Sequence, residues 1–355
     1  MRWPCASQKG VSLRRDPALF SSPRRADDHA ELLLEILSAQ GGEAGQYSVL
    51  GPDPWQVIFS SSGEGFVNFL EGRRALVSWR SPVADRDEIP ELVQRLFDHA
   101  AQSKKALFFV EVDEATRAAG AALAMTPLWT GAESFVNLSQ WSRLGGKRQK
   151  IRWALNHAQR LGVTWREAMP LSCENDRFAL ARIEYEWKSE RQERGTDTFL
   201  RTSYLEIAQW RRFFVAEIDG EAIASVTCTP INAKGWYLQD IVRMPSAPRG
   251  ALEGAMAHAL DVLRDEGYAV ASNGPLPFWR PHEHWSDAYQ LGPLGNRIMK
   301  IFDRQFRFGG INQFRSKLEP DWTETLYVLR SRRLITPWAA RSLTQILNGP
   351  RRGVQ

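Results

Sequence analysis

Residues 236–273 carry the clearest folding signal in this chain and read WYLQDIVRMPSAPRGALEGAMAHALDVLRDEGYAVASN. The first part, residues 236–242, is mostly apolar with β-branched and aromatic side chains, which predicts a buried strand. Apolar residues recur at helical spacing over residues 252–263, and Gly267 is placed to end that helix. Residues 268–272 then predict a second strand. The whole stretch therefore predicts a strand–turn–helix–strand unit with parallel strands.

The turn between this strand and this helix is the predicted ligand site, because ligands of open α/β sheets bind where the strands end. The first backbone N–H groups of a helix attract anions such as phosphate. We expect Gly250, in the turn, to let the backbone approach such a phosphate closely. Asp240 and Arg243 stand at the strand end. Being three residues apart, they should point to opposite faces of the sheet unless a bulge intervenes.

A second unit with the same order of elements is predicted at residues 75–112, with Asp85 or Asp87 as the helix cap. We therefore predict a mixed α/β fold with two similar domains in tandem. The predicted divisions are a disordered basic tail at residues 1–28, a first domain at 29–165, a second domain at 166–330, and a basic helix and tail at 331–355.

The composition, 43% hydrophobic and 25% charged over 355 residues, is that of a globular protein with two domains. The net charge of +5 is compatible with nucleic acid or an anionic membrane and diagnostic of neither. Three widely separated cysteines suggest a reducing cytoplasm, and no apolar run is long enough for a transmembrane helix. The run His282-Glu283-His284 lacks a third ligand at credible spacing, so we predict no metal site.

Several motifs, in order over residues 64–330, resemble those of the soluble catalytic domain of the phosphatidylglycerol lysyltransferases, also called aminoacyl-phosphatidylglycerol synthases. The segments that carry the resemblance are residues 81–85, 239–243, 247–250, 272–277 and 314–322, and Asp303 stands where that family has a glutamate. The resemblance implies two tandem GNAT-like domains. It also implies transfer of an aminoacyl group from aminoacyl-tRNA, as co-substrate, to a lipid hydroxyl, without a further cofactor.

The resemblance also implies roles for individual residues. Asp240 would hold the aminoacyl ammonium or take the acceptor proton, Arg243 would bind a phosphate or the developing oxyanion, and Asp303 would join them as a catalytic carboxylate. The implied substrate-binding residues are Arg249, Gly250, Asn273, Arg315 and Lys317. If their segment is extended, Arg315 and Lys317 share one face and attract phosphate.

Other functions stay open at this point. Asp303, Asn312 and Arg315 depart from the family pattern, so the amino acid and the acceptor are not fixed. The acceptor could be a lipid or a small molecule, and its accepting group a hydroxyl or an amine. The same turn would suit the pyrophosphate of acyl-CoA in an N-acyltransferase. A third alternative is a non-catalytic module that binds RNA or a membrane. The basic helix predicted at residues 147–161 is either a solvated face or a phosphate contact. We expect a cytoplasmic protein, and peripheral contact with the inner face of an anionic membrane is compatible with its charge.

Overall fold

The fold is described from a computed structural model. It describes residues 22–191, 205, 207–278, 308–331 and 337–347.

Twelve strands and eight α-helices make up the described part of the chain. The strands are β1 Arg24–Arg25, β2 Gln56–Phe59, β3 Phe66–Glu71, β4 Ala75–Trp79, β5 Ala106–Val112, β6 Thr126–Asn137, β7 Thr164–Ala168, β8 Arg212–Ile218, β9 Glu221–Asn232, β10 Gly235–Arg243, β11 Val270–Pro277 and β12 Trp322–Arg330. The helices are α1 Ala30–Gln40, α2 Ile89–Gln102, α3 Glu114–Ala122, α4 Gln149–Arg160, α5 Glu174–Arg191, α6 Ala251–Asp265, α7 Phe308–Arg315 and α8 Pro337–Leu347.

All twelve strands join one mixed sheet in the order β1-β2-β3-β4-β5-β12-β6-β11-β10-β9-β8-β7. The pairs β4–β5 and β10–β11 are parallel, and the other pairs are antiparallel. The last strand, β12, lies between β5 and β6 and so returns to the half of the sheet built by the start of the chain. The sheet is therefore continuous across residue 165, where we placed the boundary between the two domains.

Both predicted strand–helix–strand units are present. In the first, β4 and β5 are parallel and α2 buries one apolar face, formed by Ile89, Leu92, Val93 and Leu96. The prediction that Asp85 or Asp87 caps this helix is wrong. Glu88 occupies the N-cap position, and its side chain forms no capping hydrogen bond. The helix begins instead with a proline in its first turn, where the missing N–H has no helical partner anyway.

The second unit is β10, α6 and β11. The hairpin that precedes it turns at Asp219 and Gly220, both left-handed, as a two-residue turn of type I′ requires. Gly267, with φ of +89°, ends α6 as predicted, and the N–H of Tyr268 donates to the carbonyl of Leu263. The observed fold thus confirms a mixed α/β protein with two units of like order.

Two local predictions differ from the structure, and one helix was missed. Residues 24–28, assigned to the disordered tail, are folded: Arg24–Arg25 pair with β2, and Ala26 is buried. Residues 1–21 of that tail lie outside the described residues. The segment around Arg315 is helical, not extended, because α7 ends at Arg315 and a 3₁₀ helix follows at Ser316–Leu318. Helix α3 was not predicted, because its sequence is mostly alanine and lacks a clear apolar stripe.

Candidate active site

The parallel strands β10 and β11 separate soon after they begin. They pair over three residues, ending at Tyr237 opposite Ser272. Immediately beyond this point each strand has an irregularity against its other neighbour, between Leu238 and Asp240 in β10 and between Ser272 and Gly274 in β11. Such bulges bend a strand. The result is a gap at the carboxyl ends of two parallel strands, where α/β folds place their ligands.

Asp240 forms the β10 side of this gap. Its side chain is nearly buried, and its Oδ2 lies 3.8 Å from Nη1 of Arg211, which is equally buried. A buried carboxylate needs such a partner because burial of an isolated charge is very costly. Beside it, the hydroxyl of Thr229 contacts Oε1 of Gln239 at 2.6 Å.

Asn273 and Arg315 form the β11 side. The amide nitrogen of Asn273 donates to the carbonyl of Arg315 at 2.9 Å, while its Oδ1 is buried without a hydrogen-bond partner among the described residues. The guanidinium of Arg315 donates to the carbonyl of Pro275. A side chain at Gly274 would overlap with this guanidinium, and its Cβ would lie 2.8 Å from the ring of Tyr237. Gly274 therefore leaves the space that Arg315 occupies.

A buried ionic network lies beneath the gap. Arg80 is 1% exposed and contacts Glu133 at 2.8 Å and Glu111 at 3.2 Å. The Ser272 hydroxyl donates to the other oxygen of Glu133 at 2.6 Å. Arg80 and Glu111 have φ values of +68° and +56°, a strained conformation for residues with side chains. Backbone strain thus accompanies the contact between these two charges.

Electrostatics connect this network to the gap through Tyr237. Burial raises the pKa of the Tyr237 phenol, and the nearby charges of Arg315 and Arg80 oppose that rise. Burial also raises the pKa of Glu111, against the effect of Arg80. For Arg80 itself, burial lowers the pKa, but Glu133 and Glu111 raise it further, so its guanidinium remains charged. Tyr237 is therefore under the electrostatic influence of both Arg315 in the gap and Arg80 in the network.

A third carboxyl group, that of Glu43, lies near Arg80. Burial, and then the charge of Asp113, raise the pKa of Glu43 from its ordinary 4.5 to about 8. The Oε2 of Glu43 accepts the N–H of Ser81 at 2.9 Å, and the Ser81 hydroxyl donates to Asp113 at 2.9 Å. Although Glu43 is partly exposed as a residue, its Oε1 is buried and has no hydrogen-bond partner among the described residues.

The structure brings together three of the site residues proposed from the sequence: Asp240, Asn273 and Arg315. Arg243 does not join them. No bulge lies between it and Asp240, so the two side chains point to opposite faces, and Arg243 donates to the carbonyl of Ala247 at 3.0 Å. Asp303 lies outside the described residues, as does the His282-Glu283-His284 run.

Arg249, Gly250 and Lys317 lie elsewhere, between helices α4 and α6. Gly250 has φ of +97°, and a Cβ there would overlap with the carbonyl oxygen of Ala154 in α4. Its observed close approach is therefore to a neighbouring helix, and a phosphate contact at this glycine stays a prediction. The first turn of α6 already holds a carboxylate, because Glu253 is buried there and accepts from Lys317 at 2.8 Å.

The buried network was missed in the sequence. Strand β5 contains Glu111 and β6 contains Glu133, and their contacts with Arg80 were not anticipated from the sequence. Because charged residues are seldom fully buried unless they are paired, a lone glutamate inside an apolar strand was the signal that could have found them. Among the described residues, no three side chains are grouped as a metal site would require.

Comparison with known proteins identifies the family. A family model for phosphatidylglycerol lysyltransferase, C-terminal, matches residues 50–330. The phosphatidylglycerol lysyltransferase of Bacillus subtilis (strain 168) is 23% identical over 313 residues, covering 86% of this chain and 36% of that protein. The one from Staphylococcus aureus (strain MRSA252) is 21% identical over 316 residues, with the same coverage. The chain therefore spans about a third of the length of these relatives.

Solved structures show the same fold. The C-terminal DUF2156 domain of a protein assigned as a lysylphosphatidylglycerol synthetase, from Agrobacterium fabrum, has a TM-score of 0.76 at 20% identity, covering 93% of this chain and all of that one. L-PGS from Bacillus licheniformis has a TM-score of 0.70 at 19% identity, covering 89% and 94%. The predicted mixed α/β class, with two units of like order in one chain, is confirmed. Because the family model covers well over half of its length, the chain belongs to the family of the C-terminal domain of phosphatidylglycerol lysyltransferase.

Proposed function

We propose that this chain is an aminoacyltransferase that moves an aminoacyl group from aminoacyl-tRNA to a hydroxyl group of a lipid, with phosphatidylglycerol as the first acceptor to test. Family membership supports the class of reaction. The observation that carries the proposal is the gap between β10 and β11. One side presents a carboxylate, and the other presents a guanidinium and an amide oxygen that has no partner among the described residues.

The reaction needs positioning and charge stabilisation more than chemical activation. The acceptor hydroxyl oxygen attacks the ester carbonyl of the donor and forms a new ester bond. The bond between that carbonyl and the ribose oxygen breaks, and the proton lost by the acceptor hydroxyl ends on the ribose oxygen. One ester replaces another, so no nucleotide hydrolysis is required. In a gap closed to bulk water, oriented donors and acceptors act most strongly.

Each residue of the gap suits one part of this reaction. The Asp240 carboxylate is an acceptor for the donor's α-ammonium, as is the Oδ1 of Asn273, which has no partner in the described part of the chain. Asp240 is also the base available for the acceptor proton. Arg315 uses one of its five N–H groups on Pro275, so others remain to stabilise the developing oxyanion.

The structure weighs against acyl-CoA as the donor. A CoA pyrophosphate held against the backbone at Gly250 would meet the carbonyl of Ala154 in α4, which already packs against that glycine. An aminoacyl ester brings no pyrophosphate to this turn, which favours the aminoacyl donor.

A lipid acceptor requires the chain to work at a membrane surface, so peripheral membrane contact is part of the proposal. Across the described ranges, from residue 22 to 347 with gaps, no helix is long and apolar enough to cross a bilayer.

The test is transfer of labelled amino acid from charged tRNA into the lipid of phosphatidylglycerol vesicles, followed by chromatography of the extracted lipid. We expect RNase to abolish product formation. We also expect no product when acetyl-CoA is supplied in place of the charged tRNA. Asp240→Asn should lower the rate about 100-fold or more, as for loss of a positioned acid–base or ion-binding group. Asp219→Asn, the same change in the exposed β8–β9 turn, is the matched control and should keep the wild-type rate. RNase-resistant transfer from an acyl-CoA would refute the donor, and full activity of Asp240→Asn would refute the site.

A further inference from the structure

A cleft lies beside the gap, between α4, α6 and the 3₁₀ helix that follows α7. Its volume is about 370 Å³, within the usual range of small-molecule sites. The residues that line it are Gln149, Lys150, Trp153, Ala154, Arg249, Glu253 and Lys317. We refer to it as the α4–α6 cleft. The mechanism proposed above uses none of these side chains.

The free charge of the cleft is positive. Lys150 on α4 and Arg249 in the β10–α6 turn are exposed, and neither forms an ion pair with another described residue. Glu253, the single acid, is neutralised by Lys317 at 2.8 Å. An anionic ligand would therefore meet two unneutralised cations from two different elements.

The cleft also contains a stack of planar groups. Trp153 is 52% exposed although it is a large aromatic residue. Its ring is parallel to that of His157, with centroids 5.4 Å apart, and the guanidinium of Arg249 lies over it at 4.6 Å. Exposed aromatic rings and guanidinium planes are the surfaces on which unpaired nucleobases stack.

One short segment joins this cleft to the gap. Arg315 contacts Pro275 in the gap, and Lys317, two residues later, lines the cleft. Two residues separate Cα atoms by at most about 7 Å, so the cleft opens close to the reacting groups. A ligand in the cleft is thus placed to present its end to Asp240 and Asn273.

We propose that the α4–α6 cleft binds the unpaired 3′ end of the donor RNA, with a base stacked on the Trp153–Arg249 pair and a phosphate on Lys150 and Arg249. This inference rests on the proposed function and adds to it the place where the donor is held. A membrane anchor fits less well, because a ring that inserts into lipid should protrude, whereas Trp153 lines a concave surface beneath Arg249.

The test uses the whole chain and a fluorescent, uncharged RNA hairpin with four unpaired 3′ nucleotides, compared with the same hairpin with a blunt end. Binding is measured by fluorescence anisotropy over a salt series. Trp153→Ala should weaken binding of the tailed hairpin about tenfold and leave the blunt hairpin unchanged. Trp153→Phe should recover part of the loss. Trp338→Ala, which removes another exposed tryptophan, on α8, is the control and should bind as wild type.

The charges are tested separately. The double variant Lys150→Gln and Arg249→Gln should reduce the slope of log affinity against log salt by about 0.7, for one lost contact to a single-stranded phosphate. The double variant Arg160→Gln and Lys234→Gln makes the same change of charge outside the cleft and should keep the wild-type slope.

Equal binding of both hairpins by wild type and Trp153→Ala would overturn the inference even if aminoacyl transfer is observed. Loss of vesicle binding without loss of RNA binding in Trp153→Ala would assign the cleft to the membrane instead. Displacement of the hairpin by micromolar coenzyme A would assign it to a nucleotide cofactor. If tail-dependent binding is found but no aminoacyl group is transferred, the cleft stands and the proposed reaction fails.

Discussion

Replacing Glu43 by glutamine should make the fold less sensitive to alkaline pH. The folded protein holds the Glu43 carboxyl at a pKa of about 8, against an ordinary value of 4.5, because it is buried and faces Asp113. The folded state therefore keeps a proton that the unfolded chain has lost between these two values. Such a group supports stability fully below pH 4.5, and this support is lost as pH rises toward 8.

The size of the effect follows from the width of the window. One pKa unit corresponds to about 1.4 kcal/mol, so a rise from pH 5 to pH 8 should cost the wild type about 3 kcal/mol through this one group. Glutamine is uncharged at both values, and its side-chain oxygen can still accept the N–H of Ser81. The variant should thus match the wild type within about 1 kcal/mol at pH 5 and exceed it by about 3 kcal/mol at pH 8.

The assay is urea unfolding followed by tryptophan fluorescence at pH 5, 6.5 and 8. Other titrating groups act on both proteins, so the difference between them isolates Glu43. Glu31→Gln, on the exposed face of α1, makes the same chemical change away from Arg80 and Asp113. Its unfolding free energy should differ from that of the wild type by an amount that does not change with pH. A difference between wild type and Glu43→Gln that is the same at pH 5 and pH 8 would refute the reasoning.

Two further changes test the packing around the site. Arg80→Met should cost about 3–5 kcal/mol of unfolding free energy in a urea titration, because it leaves Glu133 and Glu111 buried without their cation; a cost below about 1 kcal/mol would contradict the network. Gly250→Ala should lower the melting temperature because its Cβ meets the Ala154 carbonyl at a φ of +97°, whereas Gly42→Ala, with open space around it, should not; equal melting temperatures would show that α4 yields there.

Elements whose signals are local could be predicted from the sequence. The two strand–helix–strand units follow from apolar periodicity within each stretch, and the hairpin at Asp219 and Gly220 follows from turn chemistry. The position of β12 between β5 and β6 could not be predicted in the same way. That strand pairs with residues about 190–220 positions earlier in the chain, for which spacing gives no information.

The candidate site shows the same division. Asp240, Asn273 and Arg315 could be named because each belongs to a recognisable motif, and the structure places them around one gap. The prediction that Arg315 and Lys317 lie on an extended segment was wrong. A short alternation of charged and apolar residues also occurs at the end of a helix, and there the two cations have separate partners. Those partners, Pro275 and Glu253, are more than 35 residues away in sequence.

This error changes how the two cations should be understood. On an extended segment Arg315 and Lys317 would share one ligand, but at the end of α7 they diverge, one toward the gap and one toward the α4–α6 cleft. Their segment is fixed at several points: Asn273 binds the carbonyl of Arg315, Lys317 binds Glu253, and Arg148 binds the carbonyl of Glu319. A segment held in this way can orient both sites without first becoming ordered around a ligand. Binding in the cleft and reaction in the gap should therefore be separable by mutation, because Arg315 belongs to the gap and Lys317 to the cleft.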